Sequence, residues 1–62
     1  MNSFTGEIQT IFIQNGSTVA EIRAGQTTVQ VPLFLLVEAR VGDIVKVESG
    51  MAVARLHPES RN

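Results

Sequence analysis

The chain has 62 residues, five basic and six acidic for a formal net charge of −1, and no cysteine. This length allows one domain at most, and the missing thiols exclude disulfides, thiolate metal sites and a cysteine nucleophile. The basic residues Arg23, Arg40, Lys46, Arg55 and Arg61 are scattered, whereas a grip on a phosphate backbone needs several cations on one face, so no nucleic-acid partner is expected.

From Phe4 to Gln14, polar and apolar residues nearly alternate, with Ile8, Ile11, Phe12 and Ile13 supplying β-branched and aromatic character; this predicts a first strand. The alternation slips between Phe4/Ile8 and Ile11/Ile13, which calls for a bulge near Gln9-Thr10. Asn15-Gly16 is a strong hairpin signal, because both residues tolerate the positive φ of a type I′ turn, and Ser17 to Arg23 should return antiparallel. Ala24-Gly25-Gln26 forms the next turn. Thr27 to Val31 follows as a third strand, with Val29 and Val31 on one face, Thr28 and Gln30 on the other, and Pro32 ending it for want of a ladder donor.

Leu33-Phe34-Leu35-Leu36-Val37 is too short for a free helix and reads as a buried helical turn plugging one end of a barrel, with Leu35 and Leu36 in the core and Leu33 or Phe34 left at the surface. Val41-Gly42-Asp43 turns into a fourth strand, Ile44 to Glu48, and Ser49-Gly50 into a fifth, Met51 to Leu56. Five short strands with one apolar insert between the third and fourth predict an all-β fold, a small five-stranded OB-like barrel over residues 1–56. Residues 57–62 are expected to form a flexible tail.

The longest apolar run, Val31 to Val37, is far short of the roughly 20 residues that span a bilayer. The opening Met1-Asn2-Ser3-Phe4 has neither a basic nor an apolar leader region, so a cytoplasmic protein without a membrane partner is expected.

Gly6-Glu7-Ile8, Val19-Ala20-Glu21-Ile22, Leu35-Leu36-Val37, Val41-Gly42-Asp43-Ile44-Val45-Lys46-Val47 and Gly50-Met51-Ala52-Val53-Ala54-Arg55-Leu56 occur in this order. Read together they resemble the HypC/HupF hydrogenase maturation chaperones over residues 6 to 56. The most specific part is the Gly42-Asp43 turn, the Val-rich strand after it and the Gly50-x-Ala52 strand. The resemblance implies a protein partner, a metalloenzyme precursor or maturation factor, docked during assembly of a nickel–iron site. In the family an N-terminal Cys after the initiator Met handles iron, and here Asn2 stands there; an amide cannot replace a thiolate. Glu48 stands where the family tends to have His, and only residues 57–62 follow Leu56 where the family continues into a helix. The scaffold is kept and the metal-handling groups are not, so no metal and no cofactor is expected.

No residue marks a catalytic site. His57 is the sole imidazole and sits beside Pro58, a solvated tail residue with no second ligand. Asp43 and Glu48, or Glu7 and Glu21, form carboxylate pairs on paper, but acid–base work needs an apolar cleft that nothing here marks; Asp43 is read as the cap of its own turn. Ser49-Gly50 lacks the strand-to-helix context of a nucleophile elbow. The expected function is therefore non-enzymatic protein docking, with Leu33, Phe34 and Met51 as the residues to watch and a homo-oligomer as one way to cover them. A rival is a Mop-like barrel binding an oxyanion through Ser17, Thr18, Thr27, Thr28 and Lys46, although Glu48 would repel the anion. An OB-type nucleic-acid binder ranks last.

Overall fold

The computed structural model describes residues 3–56, so the expectations for Asn2, His57 and the tail lie outside the described residues. Five strands follow one another: β1 (Ser3–Gln14), β2 (Ser17–Ala24), β3 (Thr27–Pro32), β4 (Ile44–Glu48) and β5 (Met51–Leu56). They form one antiparallel sheet in the order β3-β2-β1-β4-β5.

Local chemistry accounts for most of these boundaries. Asn15 and Gly16 both have positive φ, 54° and 80°, the conformation that a type I′ hairpin demands and whose twist matches the flanking strands. Ser49 and Gly50 repeat it at 53° and 80°. The slip in alternation is a bulge: Ile8 faces Ile22 and Thr10 faces Glu21, leaving Gln9 without an opposite. A second bulge sits at Val53, between the pairs Val47–Ala52 and Lys46–Ala54. Pro32 is tolerated because β3 is an edge strand, where a missing donor breaks no ladder on the open side.

β1 binds two neighbours in succession. Ser3 to Glu7 pair with β4 and Glu7 to Gln14 with β2, so Glu7 faces both Ile44 and Arg23. Strand β1 therefore passes from one half of the sheet to the other, and the sheet coils around its inner face. That face carries Ile8, Ala20, Ile22, Val31, Val45, Val47 and Ala52, all buried, with Phe4, Ile11 and Val29 partly buried against them. Val29 and Val31 share this face while Thr28 and Gln30 are exposed, as their alternation predicts.

Two features differ from expectation. The sheet is not closed: β3 and β5 approach within 8 Å at their Cα atoms, yet no ladder joins them. That approach is too tight for a further strand, which needs about 4.8 Å on each side. Nor do residues 33–37 form a helical turn. Two consecutive turns replace it, closed by Leu36 N–H donating to the Leu33 carbonyl at 3.3 Å and Ala39 N–H to the Leu36 carbonyl at 3.0 Å. The first of these residues is already tied down, since Leu33 N–H donates to the Thr18 carbonyl at 3.0 Å. The connection still plugs the core, but by an every-third-residue pattern of Leu33, Leu36 and Ala39, all buried.

Candidate docking surface

The connection between β3 and β4 spans residues 33–43 and is fastened at both ends. At its far end Gly42 N–H donates to the Ile8 carbonyl and Ile8 N–H to the Asp43 carbonyl, both at 2.9 Å, which extends the β1–β4 pairing beyond the strand. Asp43 N–H donates to the Arg40 carbonyl at 3.0 Å and its carboxylate Oδ2 accepts from Arg40 N–H at 2.9 Å. This is the self-capped turn expected of Asp43. Gly42 sits within it at φ 96°, a conformation that costs a Cβ-bearing residue dearly.

Arg55 braces the same end. It lies opposite Val45 on the inner row of β5, with Nε 3.1 Å from Asp43 Oδ2 and Nη1 3.9 Å from Glu38 Oε2. The buried Nε–H does not point at the Asp43 oxygen and has no hydrogen-bond acceptor among the described residues, so the contact is an ion pair held by charge. At the surface Lys46 pairs with Glu48 at 3.0 Å, a type of contact that contributes little to stability.

With both ends fixed and every third side chain inserted in the core, the remaining side chains must face outward. Leu33 and Leu36 are 1% and 7% exposed, whereas Phe34, Leu35, Val37 and Val41 are 60%, 61%, 78% and 61% exposed. Four large apolar groups thus project from one short segment, and Ile44 and Leu56, which face each other across β4 and β5, are partly exposed as well. Scattered apolar residues are normal on a surface, and four on one constrained segment make it the candidate docking surface of this fold.

The three residues singled out from sequence are not brought together. Phe34 is exposed and belongs to this surface, while Leu33 is in the core and unavailable to a partner. Leu35, expected inside, is outside. Met51 is half-buried at the opposite end of β5 from Arg55, roughly 13 Å along the strand. Sequence reasoning missed Leu35, Val37, Val41 and Ile44, because the apolar run from Leu33 to Val37 has no periodicity of its own; the burial of Leu33, Leu36 and Ala39 sets the phase only in the structure.

The residues of the oxyanion reading are dispersed as well. Ser17 and Thr18 open β2 beside the first hairpin, whereas Thr28 pairs with Arg23 near the other end of that strand, roughly 17 Å away. Lys46 is engaged by Glu48. Among the described residues there is no pocket, no group of three or more His, Asp or Glu placed to hold a metal ion, and no helix long and apolar enough to cross a membrane. Comparison of the chain with protein-family models, with curated proteins and with solved structures gives no match.

Proposed function

We propose that this protein is a non-catalytic docking module of the assembly-chaperone type, resembling the HypC chaperones in scaffold and working through the β3–β4 connection. One observation carries the reading: Phe34, Leu35, Val37 and Val41 are displayed on a segment whose intervening residues are locked into the core. A displayed apolar group held rigidly loses little conformational entropy when a partner covers it, which favours association. The architecture is read as an open form of the small OB-like barrel, supported by the central place of β1 between β2 and β4 and the near approach of β3 and β5. The partner class is a metalloenzyme precursor or maturation factor, and the chain's part is to hold it rather than to bind metal.

Affinity capture from cells producing a nickel–iron hydrogenase precursor tests this. The unaltered protein retains the precursor, and the double variant Phe34→Ser/Val37→Ser loses it. Equal retention by both, or by neither, overturns the reading.

A further inference from the structure

We propose that Asn15 is a site of spontaneous covalent modification, its side-chain amide passing through a ring with Gly16 to a carboxylate or to an isoaspartyl backbone link, and that the native hairpin holds this reaction in check. The inference is independent of what the β3–β4 connection binds.

The two reacting groups are adjacent and unengaged. Asn15 and Gly16 are both exposed, and apart from its chain neighbours no atom lies within 4 Å of where a Cβ on Gly16 would stand. Among the described residues neither the Asn15 side-chain amide nor the Gly16 N–H takes part in a hydrogen bond, because the β1–β2 ladder ends at the pair Gln14–Ser17. Glycine carries no Cβ and so leaves the approach to the amide unhindered. The turn at Ser49-Gly50 repeats this backbone with a hydroxyl in place of the amide, and cannot react in this way.

Water and a base suffice as co-reactants. The Gly16 nitrogen gives its proton to the base and attacks Asn15 Cγ; the new C–N bond forms, the Cγ–Nδ2 bond breaks, and nitrogen leaves as ammonia after taking a proton from water. One water then opens the succinimide. Attack at Cγ restores the original backbone and leaves aspartate, whereas attack at the Asn15 backbone carbonyl carbon breaks that link and leaves the chain running through Cβ and Cγ.

The native turn opposes ring closure, which needs the Cα–Cβ bond of Asn15 and the C–N bond to Gly16 nearly eclipsed. Asn15 has φ 54°, in the left-handed region where ψ is about +30 to +60°, and this ψ sets those two bonds nearly opposite. Closure therefore waits for the hairpin tip to open, and a tip open in about 10% of molecules or fewer slows the reaction about tenfold or more.

The two products differ in effect. Aspartate still suits a type I′ turn and only adds one negative charge. The isoaspartyl link lengthens the backbone of a two-residue turn and disturbs the Gln14–Ser17 pairing. Thr18 follows that pair and its carbonyl accepts Leu33 N–H at 3.0 Å, so the isoaspartyl form also loosens the start of the β3–β4 connection.

Ageing the purified chain in buffers of rising pH, with and without guanidinium chloride, tests this. Intact mass records the loss of the amide, peptide mapping places it, and methylation by a protein isoaspartyl methyltransferase with S-adenosylmethionine counts the isoaspartyl fraction. Conversion at residue 15 is expected to quicken with pH and to run about tenfold or more slower in the native chain than in the unfolded one. Asn15→Gln, whose extra methylene requires a larger ring, stays unconverted over the same period. In the separated isoaspartyl form, amide exchange at Leu33 is faster than in the parent. No conversion at residue 15 in the unfolded chain overturns the proposal, as does a rate that ignores pH or equals that of Asn15→Gln. Equal rates in the native and unfolded chains overturn the restraint by the hairpin, and unchanged exchange at Leu33 overturns the link to the connection.

Discussion

Gly6 lies so close to Ile22 that a Cβ built on it would stand 2.5 Å from Ile22 Cγ2 and 2.7 Å from the Arg23 carbonyl oxygen. Two strands meet over this point, because β1 is leaving β4 and joining β2 there. The absent side chain is what lets the sheet coil tightly enough to enclose its inner face.

Gly6→Ala should therefore destabilise the protein by about 1–3 kcal/mol, the usual cost of forcing a methyl into a packed site, since the Arg23 carbonyl is backbone and cannot rotate away. Urea denaturation followed by circular dichroism measures it as a lowered midpoint at unchanged slope. A midpoint equal to the parent's would show that the crossing of β1 is looser than these distances require.

Ser49 and Asn15 occupy the same position in equivalent turns, at φ 53° and 54°. Serine is a poor occupant of the left-handed region and asparagine a good one, so Ser49→Asn is expected to stabilise by about 0.5 kcal/mol. The reverse experiment, Asn15→Ser, should cost a similar amount. Thermal melts of the two variants, compared side by side, check both signs.

Leu35 and Leu36 are neighbours of identical chemistry and opposite fate, one exposed and one in the core. Leu36→Ala should cost about 2–5 kcal/mol through lost burial and the cavity left behind, and Leu35→Ala should change stability by no more than about 0.5 kcal/mol. Chemical denaturation decides it, and equal costs would mean that the phase of the connection is wrong.

Asp43 serves the turn and the bracing of Arg55 at once, accepting Arg40 N–H at 2.9 Å and standing 3.1 Å from Arg55 Nε. Asp43→Ala removes both and should destabilise by about 2 kcal/mol, whereas Asp43→Asn keeps an acceptor for the turn and should lose less. Amide hydrogen exchange locates the effect: faster exchange at Ile8 and Gly42, whose N–H groups bond across this junction, with β2 and β3 unchanged.

The strands and hairpins were legible in the amino-acid order because they rest on local requirements. Asn15-Gly16 and Ser49-Gly50 stand where positive φ is needed, the alternation in Thr28-Val29-Gln30-Val31 names its own buried face, and the slip around Gln9 announces a bulge. Asp43 capping its turn is legible for the same reason.

The orientation of residues 33–37 is a different matter. Five consecutive apolar residues carry no phase, so nothing in their order says which point inward; Leu33 N–H bonding to Thr18 and Gly42 bonding to Ile8 decide it from distant parts of the chain. The unpaired edges of β3 and β5, and the bracing of Arg55 by Asp43, likewise depend on where the coiled sheet brings remote segments. Local backbone preference determined the strands and turns of this protein, while the apolar side chains left exposed were decided only when the tertiary structure had used up those that fit inside.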